Sequence, residues 1–187
     1  MKKASSGENA PDSAAVHFFV KSGVDVAGDT IVGTSDQTAF ASSLFTIPGR
    51  TLQAGSRLSI LARGVWSSAA AAPSLTTDLV FDTSATASVA TTGSLLQSLG
   101  VSDQGWEVTL DIICSVPGEG GSCYIQGHRV ASTGPRSSQR EDMENVNPIS
   151  WNTNLPVDVS LRQTWSVASA TNSVEMNQFT VGLWGPP

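Results

Sequence analysis

The sequence predicts an all-β fold, a jelly-roll-like β-sandwich of about eight antiparallel strands. Three observations carry this. Apolar residues alternate at period two in segment after segment, the spacing of half-buried strands. Gly-, Pro- and Asn-rich turns separate those segments. No convincing helical stripe interrupts them, and residues that favour helices are scarce, with only 14% of the chain charged against the usual quarter or so. Ser, Thr, Ala and Gly fill the gap, and 40% hydrophobic residues suffice for a core. At 187 residues the chain fits one such sandwich.

The first fifteen residues hold no periodic apolar face and are punctuated by Gly7 and Pro11, so 1–15 is expected to be a flexible arm and 16–187 the domain. Strands are then expected at 16–20 and 38–47, before an Ile-Pro-Gly turn at 47–49 and a Gln-Ala-Gly turn at 53–55. In 57–66, Leu58, Ile60, Ala62 and Trp66 share one face, while Ser59, Arg63 and Val65 take the other. A strand at 75–82 follows. In 104–114, Trp106, Val108, Leu110, Ile112 and Cys114 align against Glu107, Thr109 and Asp111. Pro-Gly-Glu-Gly-Gly at 117–121 turns this strand into a partner at 122–131, a hairpin with glycine free to take positive φ. In 157–167, Val157, Val159, Leu161, Trp165 and Val167 face Asp158, Ser160, Arg162 and Thr164. The last strand, 173–183, changes phase near Gln178: Val174 and Met176 are even, Phe179, Val181 and Leu183 odd. A bulge there would restore the inward face.

Composition excludes several functions. Net charge is −6 and the ten Lys and Arg are scattered, which disfavours displacing counterions from phosphates, so no direct nucleic-acid partner is expected. No apolar run reaches the roughly 18–20 residues that cross a bilayer, and no apolar segment follows Met1-Lys2-Lys3, so synthesis in the cytoplasm without export is expected. His17 and His128 are the only histidines, and neither adjoins a nucleophile motif. The glycines at 118, 120 and 121 lie between strands and open no helix towards a phosphate. The acidic residues form no local pair of the glycosidase kind. Two Cys and two His lack metal-ligand spacing. The expectation is therefore no catalytic, cofactor-binding or metal-binding residue. Cys114 and Cys123 flank the hairpin turn almost symmetrically; buried thiols are the default in a reducing cytosol, and a bond formed later in an extracellular particle is the alternative.

Contact chemistry is the remaining candidate. Trp66, Trp106 and Trp165 fall on inward phases and are expected in the core. Trp151, in a loop after Pro148, and Trp184, just before Gly185-Pro186-Pro187, are the better candidates for a partner surface, since Trp is enriched at interface hot spots, with local packing as the alternative. The segment 136–144, with Arg136 and Arg140 among Glu141, Asp142 and Glu144, is the densest charge cluster and reads as a solvated loop or an ion-paired subunit contact. Pro11 is the candidate in the arm, where an extended segment would lie along a neighbouring subunit.

The order of segments resembles the jelly-roll structural proteins of tailed-phage virions. SLFTIPGRTLQAGSRLSILARGVW at 43–66 is similar to their opening strands, and SLTTDLVFDTSAT at 74–86 to the next one. GWEVTLDIICSVPGEGGSCYIQGHRV at 105–130 and LPVDVSLRQTWSVASATNSVEMNQFTV at 155–181 are similar to the central hairpin and closing pair. The resemblance implies a non-enzymatic virion protein, foremost a head decoration or cement protein, that binds itself as a homo-oligomer (a trimer, for instance) and the major capsid protein or another virion protein. The second reading is a tail or fibre component, including a receptor- or carbohydrate-binding module that would use exposed aromatics such as Trp151 with Tyr124.

Overall fold

The structure, a computed structural model, describes residues 18–32, 38–68, 73–81, 88–92, 95–96, 100–134, 137–145 and 147–185. The arm at 1–15, with Pro11, lies outside them, as do His17 and Arg136.

Thirteen strands are described: β1 (Phe18–Val32), β2 (Thr38–Ala39), β3 (Phe45–Ile47), β4 (Arg57–Ser67), β5 (Ser74–Phe81), β6 (Ser88–Thr91), β7 (Leu95–Leu96), β8 (Gln104–Val116), β9 (Ser122–Gly134), β10 (Ser137–Asp142), β11 (Ile149–Ser150), β12 (Val157–Trp165) and β13 (Ser173–Trp184). The larger sheet runs β1-β13-β4-β8-β9-β10, with β11 also on β9; the smaller runs β2-β12-β5-β6, with β3 also on β12 and β7 on β5. The pairings nest: β1 takes β13, β2 and β3 take β12, β4 takes β8, and β5 takes β6 and β7. A chain folded back on itself and wound into two sheets gives this order, the jelly-roll arrangement. The segment β9–β11 is an insertion after β8 that widens the larger sheet.

The expected phases hold where one face meets the core. Leu58, Ile60, Ala62 and Trp66 on β4 are buried, as are Trp106, Val108, Leu110, Ile112 and Cys114 on β8. The phase change in β13 is a bulge between Met176 and Gln178, so Val174, Met176, Phe179 and Val181 all point inward. Gly64 pairs with Met176 beside it, and a Cβ there would run into the Glu175 carbonyl oxygen, so this close approach needs glycine. The hairpin turn forms as expected, with Gly118 at φ 105°.

Four expectations need correction. Segment 38–47 is not one strand: a 3-10 turn, Ala41–Ser43, separates β2 from β3. The Ser43 hydroxyl donates to the Phe40 carbonyl at 2.8 Å and accepts from the Leu161 amide at 2.9 Å, which stitches the turn to β12 and drops Phe40 into the core. Val167 is not inward, because β12 ends at Trp165 and Val167 is exposed. On β12, Ser160 and Arg162 are buried although their phase is outward; Arg162 pairs with Asp78 across from it, at 3.5 Å. The charge cluster is solvated but is not a loop, since Ser137–Asp142 form the exposed edge strand β10 and Met143 beside it is buried.

Candidate functional site

Aromatic rings fill the space between the sheets. Trp66 meets Trp165 edge-on at 6.4 Å, Phe40 stacks on Trp106 at 5.9 Å, and Phe45 lies 5.8 Å from Phe179. Besides Arg162 and Asp78, one further charged side chain among the described residues is buried in this interior. Arg129 on β9, 1% exposed, donates to Thr77 Oγ1 at 2.8 Å, to the Leu75 carbonyl at 2.9 Å and to Glu141 Oε2 at 2.5 Å. Thr77 in turn donates to Gln163 Oε1 at 2.8 Å. Burial lowers the Arg129 pKa and Glu141 opposes that. The cluster ties the larger sheet to the smaller one, although Arg129 Nε and Gln163 Nε2 within it are buried without a hydrogen-bond partner among the described residues.

The outer face of the larger sheet is built by register. Trp184 on β13 is paired with Arg57 on β4, Arg57 with Ile113 on β8, and Ile113 with Tyr124 on β9. These four residues form one row across four strands, about 14 Å long at the usual strand spacing. Trp184 and Tyr124 are 37% and 39% exposed. A Cβ at Gly182 would lie 3.6 Å from the Trp184 indole nitrogen, so the ring lies back over the next row, where glycine leaves room. That next row is Gly182, Ser59, Asp111 and Gln126. Asp111 accepts from Arg57 at 2.7 Å and from the Ser59 hydroxyl at 2.6 Å, which fixes the polar groups beside the aromatic pair. Further along, Arg63 pairs with Glu107 at 2.6 Å. His128 lies half-buried on the same face of β9, opposite Thr109 and Asp142.

Of the residues singled out from sequence, Trp184 joins this row and Trp151 does not. Trp151 is only 7% exposed and packs edge-on against Phe81 at 5.0 Å. Its loop is pinned to the hairpin turn: the Trp151 amide donates to the Gly121 carbonyl at 2.8 Å, and the Gly118 amide donates to Thr153 Oγ1 at 2.7 Å. Trp151 is therefore a core residue and does not stand with Tyr124 on an outer face. Arg140 is exposed on β10, 3.4 Å from Asp142 and apart from the aromatic row. Arg57, Ile113 and Asp111 were not singled out from sequence, because their neighbours across the sheet are up to 127 positions away and only strand order brings them together. Among the described residues no cluster of three or more His, Cys, Asp or Glu could hold a metal ion. The chain matches no protein-family model, no curated protein and no solved structure.

Proposed function

We propose that this chain is a non-enzymatic structural protein of tailed-phage virions, a head decoration or cement protein that binds the major capsid protein and copies of itself. The observation that carries the reading is the jelly-roll winding around a closed aromatic interior. The fold recurs in viral capsid domains, and a filled interior leaves outer faces as the working surface. Low charge and abundant small polar residues suit extended packed contacts, and the polar segment 1–15 would add contacts by tethering. Immunogold labelling of purified virions with antibody against this chain is the direct test. Gold on heads supports decoration, gold on tails moves the chain to a tail or fibre, and unlabelled particles overturn the reading. Deleting 1–15 should then lower occupancy on undecorated heads while leaving the melting point unchanged.

The aromatic row favours a second reading, a tail or fibre module that binds a receptor glycan. Aromatic rings stack on the apolar faces of sugars, and the Arg57–Asp111–Ser59 network would supply hydrogen bonds alongside. Glycan arrays probed with the protein, with Trp184→Ala and Tyr124→Ala as controls, test it. Binding that both substitutions leave unchanged would remove the row from recognition.

A further inference from the structure

The inward row next to Ile113 and Tyr124 holds Cys114 and Cys123, paired with each other across the hairpin and both fully buried. Both are free thiols. Their backbone placement can be worked out from the hydrogen bonds. Cys114 gives its amide to the Ser56 carbonyl at 2.9 Å and receives the Gly55 amide on its own carbonyl at 2.8 Å. In an antiparallel strand both polar groups of a residue point the same way, so those of Cys114 point away from β9. Cys123 pairs on its far side with Ile149 of β11. Cys114 and Cys123 therefore form a non-hydrogen-bonded pair, where facing Cα atoms stand about 4.5 Å apart and side chains are closest. That separation lies within the roughly 4.4–6.8 Å that a disulfide spans. Both side chains share the inward face, so their Cβ vectors run together. The thiols also feel each other: burial first, and then Cys114, push the Cys123 pKa up to about 12, while burial raises that of Cys114.

We propose that Cys114 and Cys123 are a latent cross-strand disulfide, closed by a small-molecule disulfide oxidant such as oxidised glutathione, that clamps the hairpin arms beneath the Ile113–Tyr124 rung. One cysteine loses its proton and its thiolate attacks a glutathione sulfur; the glutathione S–S bond breaks and one glutathione leaves as thiolate. The second cysteine, deprotonated in turn, attacks the mixed disulfide and expels the other glutathione. Two protons and two electrons leave the protein, and one oxidised glutathione becomes two reduced ones. Access is short-range. The Cys114 rung is followed by a bulge at Ser115, a single further rung of Val116 with Ser122, and then the turn, so opening this end releases that rung together with the bonds that join Gly118 to Thr153 and Gly121 to Trp151. High thiol pKa values make the reaction slow near neutral pH and faster as pH rises.

The test uses the full chain, purified reduced and incubated with oxidised glutathione without denaturant, then acid-quenched, alkylated and weighed intact. The expected product is a monomer lighter by two hydrogens, with both cysteines protected from alkylation and no glutathione attached. Its melting point should rise by about 5 °C or more, as closing a short loop implies. Cys114→Ser and Cys123→Ser should each give a glutathione adduct or keep the remaining thiol, and neither should lose two hydrogens. Wild-type protein that keeps both thiols, or that reacts only in urea, overturns the proposal. So does an end product of glutathione adducts or intermolecular dimers, or a closed bond that lowers the melting point.

Discussion

Removing the acid of the buried ion pair should harm this fold more than removing the base. Arg129 is enclosed, whereas Glu141 keeps 18% of its side chain in contact with solvent. Changing Glu141 to Gln removes the counter-charge and leaves a buried guanidinium with neutral acceptors alone, the Thr77 hydroxyl, the Leu75 carbonyl and the Gln amide oxygen. Breaking such a pair from one side typically costs about 3–5 kcal/mol, and water reaching residue 141 places the expectation near 3. Changing Arg129 to Met removes the desolvated charge together with its bonds. Thr77 still donates to Gln163, and Glu141 can turn to solvent. The remaining loss is a hydrogen bond or two at about 1 kcal/mol each, partly offset by the apolar Met side chain. The double variant should resemble Arg129→Met, which makes the cycle non-additive by about 3 kcal/mol, the whole Glu141→Gln cost. Urea unfolding of the four proteins measures this. A Glu141→Gln cost below that of Arg129→Met, or an additive cycle, would show that Arg129 is solvated through some other route.

Three further outcomes follow from packing and protonation. Trp165→Ala should lose about 3–5 kcal/mol, since the ring is fully buried against Trp66; a loss under about 1 kcal/mol in urea unfolding would contradict its placement. Gly64→Ala should destabilise by at least about 2 kcal/mol through overpacking, as a Cβ meets both the Glu175 carbonyl and the Trp106 ring, and a neutral result would mean the bulge in β13 can relax. The Cys123 thiol has its folded pKa raised to about 12 from 9.0, so folded protein holds a proton that the unfolded chain releases. Its stabilisation is complete below pH 9.0 and falls as pH rises towards 12. Stability of reduced wild-type measured relative to Cys123→Ala should decline across that window, and a flat difference would refute the shift.

Alternation reveals a strand only where one face is wet and the other dry. β4 and β8 satisfy that condition and were legible residue by residue; the bulge in β13 was legible because it broke a strong pattern. β10 was not, since Ser137 to Arg140 on this edge strand are all exposed and no apolar residue marks a phase. Its position is set by pairing with β9, from Ser137 opposite Gly134 to Asp142 opposite His128. β12 misled in the opposite way. Ser160 and Arg162 look solvated, yet they are buried, and Arg162 is tolerated there because Asp78 stands opposite on β5. Sequence shows that a residue is charged and does not show that its counter-charge is 84 positions away.

The same logic explains why the aromatic candidates divided as they did. Trp151 and Trp184 both follow segments with weak local structure, and local sequence treats them alike. Gly121 carried the distinguishing signal: a side chain there would strike the Trp151 carbonyl oxygen, so this glycine lets the 151–155 loop close on the hairpin turn. Once closed, that loop delivers Trp151 to Phe81. Trp184 has no such route inward, because β13 holds it to an outward register opposite Arg57. Among the described residues, two ion pairs lie on that face, Arg57 with Asp111 and Arg63 with Glu107. Such exposed pairs add little stability, but the Arg57–Asp111 pair cancels its own charge between the exposed rings of Trp184 and Tyr124. A patch of this kind would repel few partners and would gain from shedding water over Trp184 and Tyr124. Contact with another protein or a sugar is thus cheaper here than at β10, where Arg140 and Asp142 remain charged and largely hydrated.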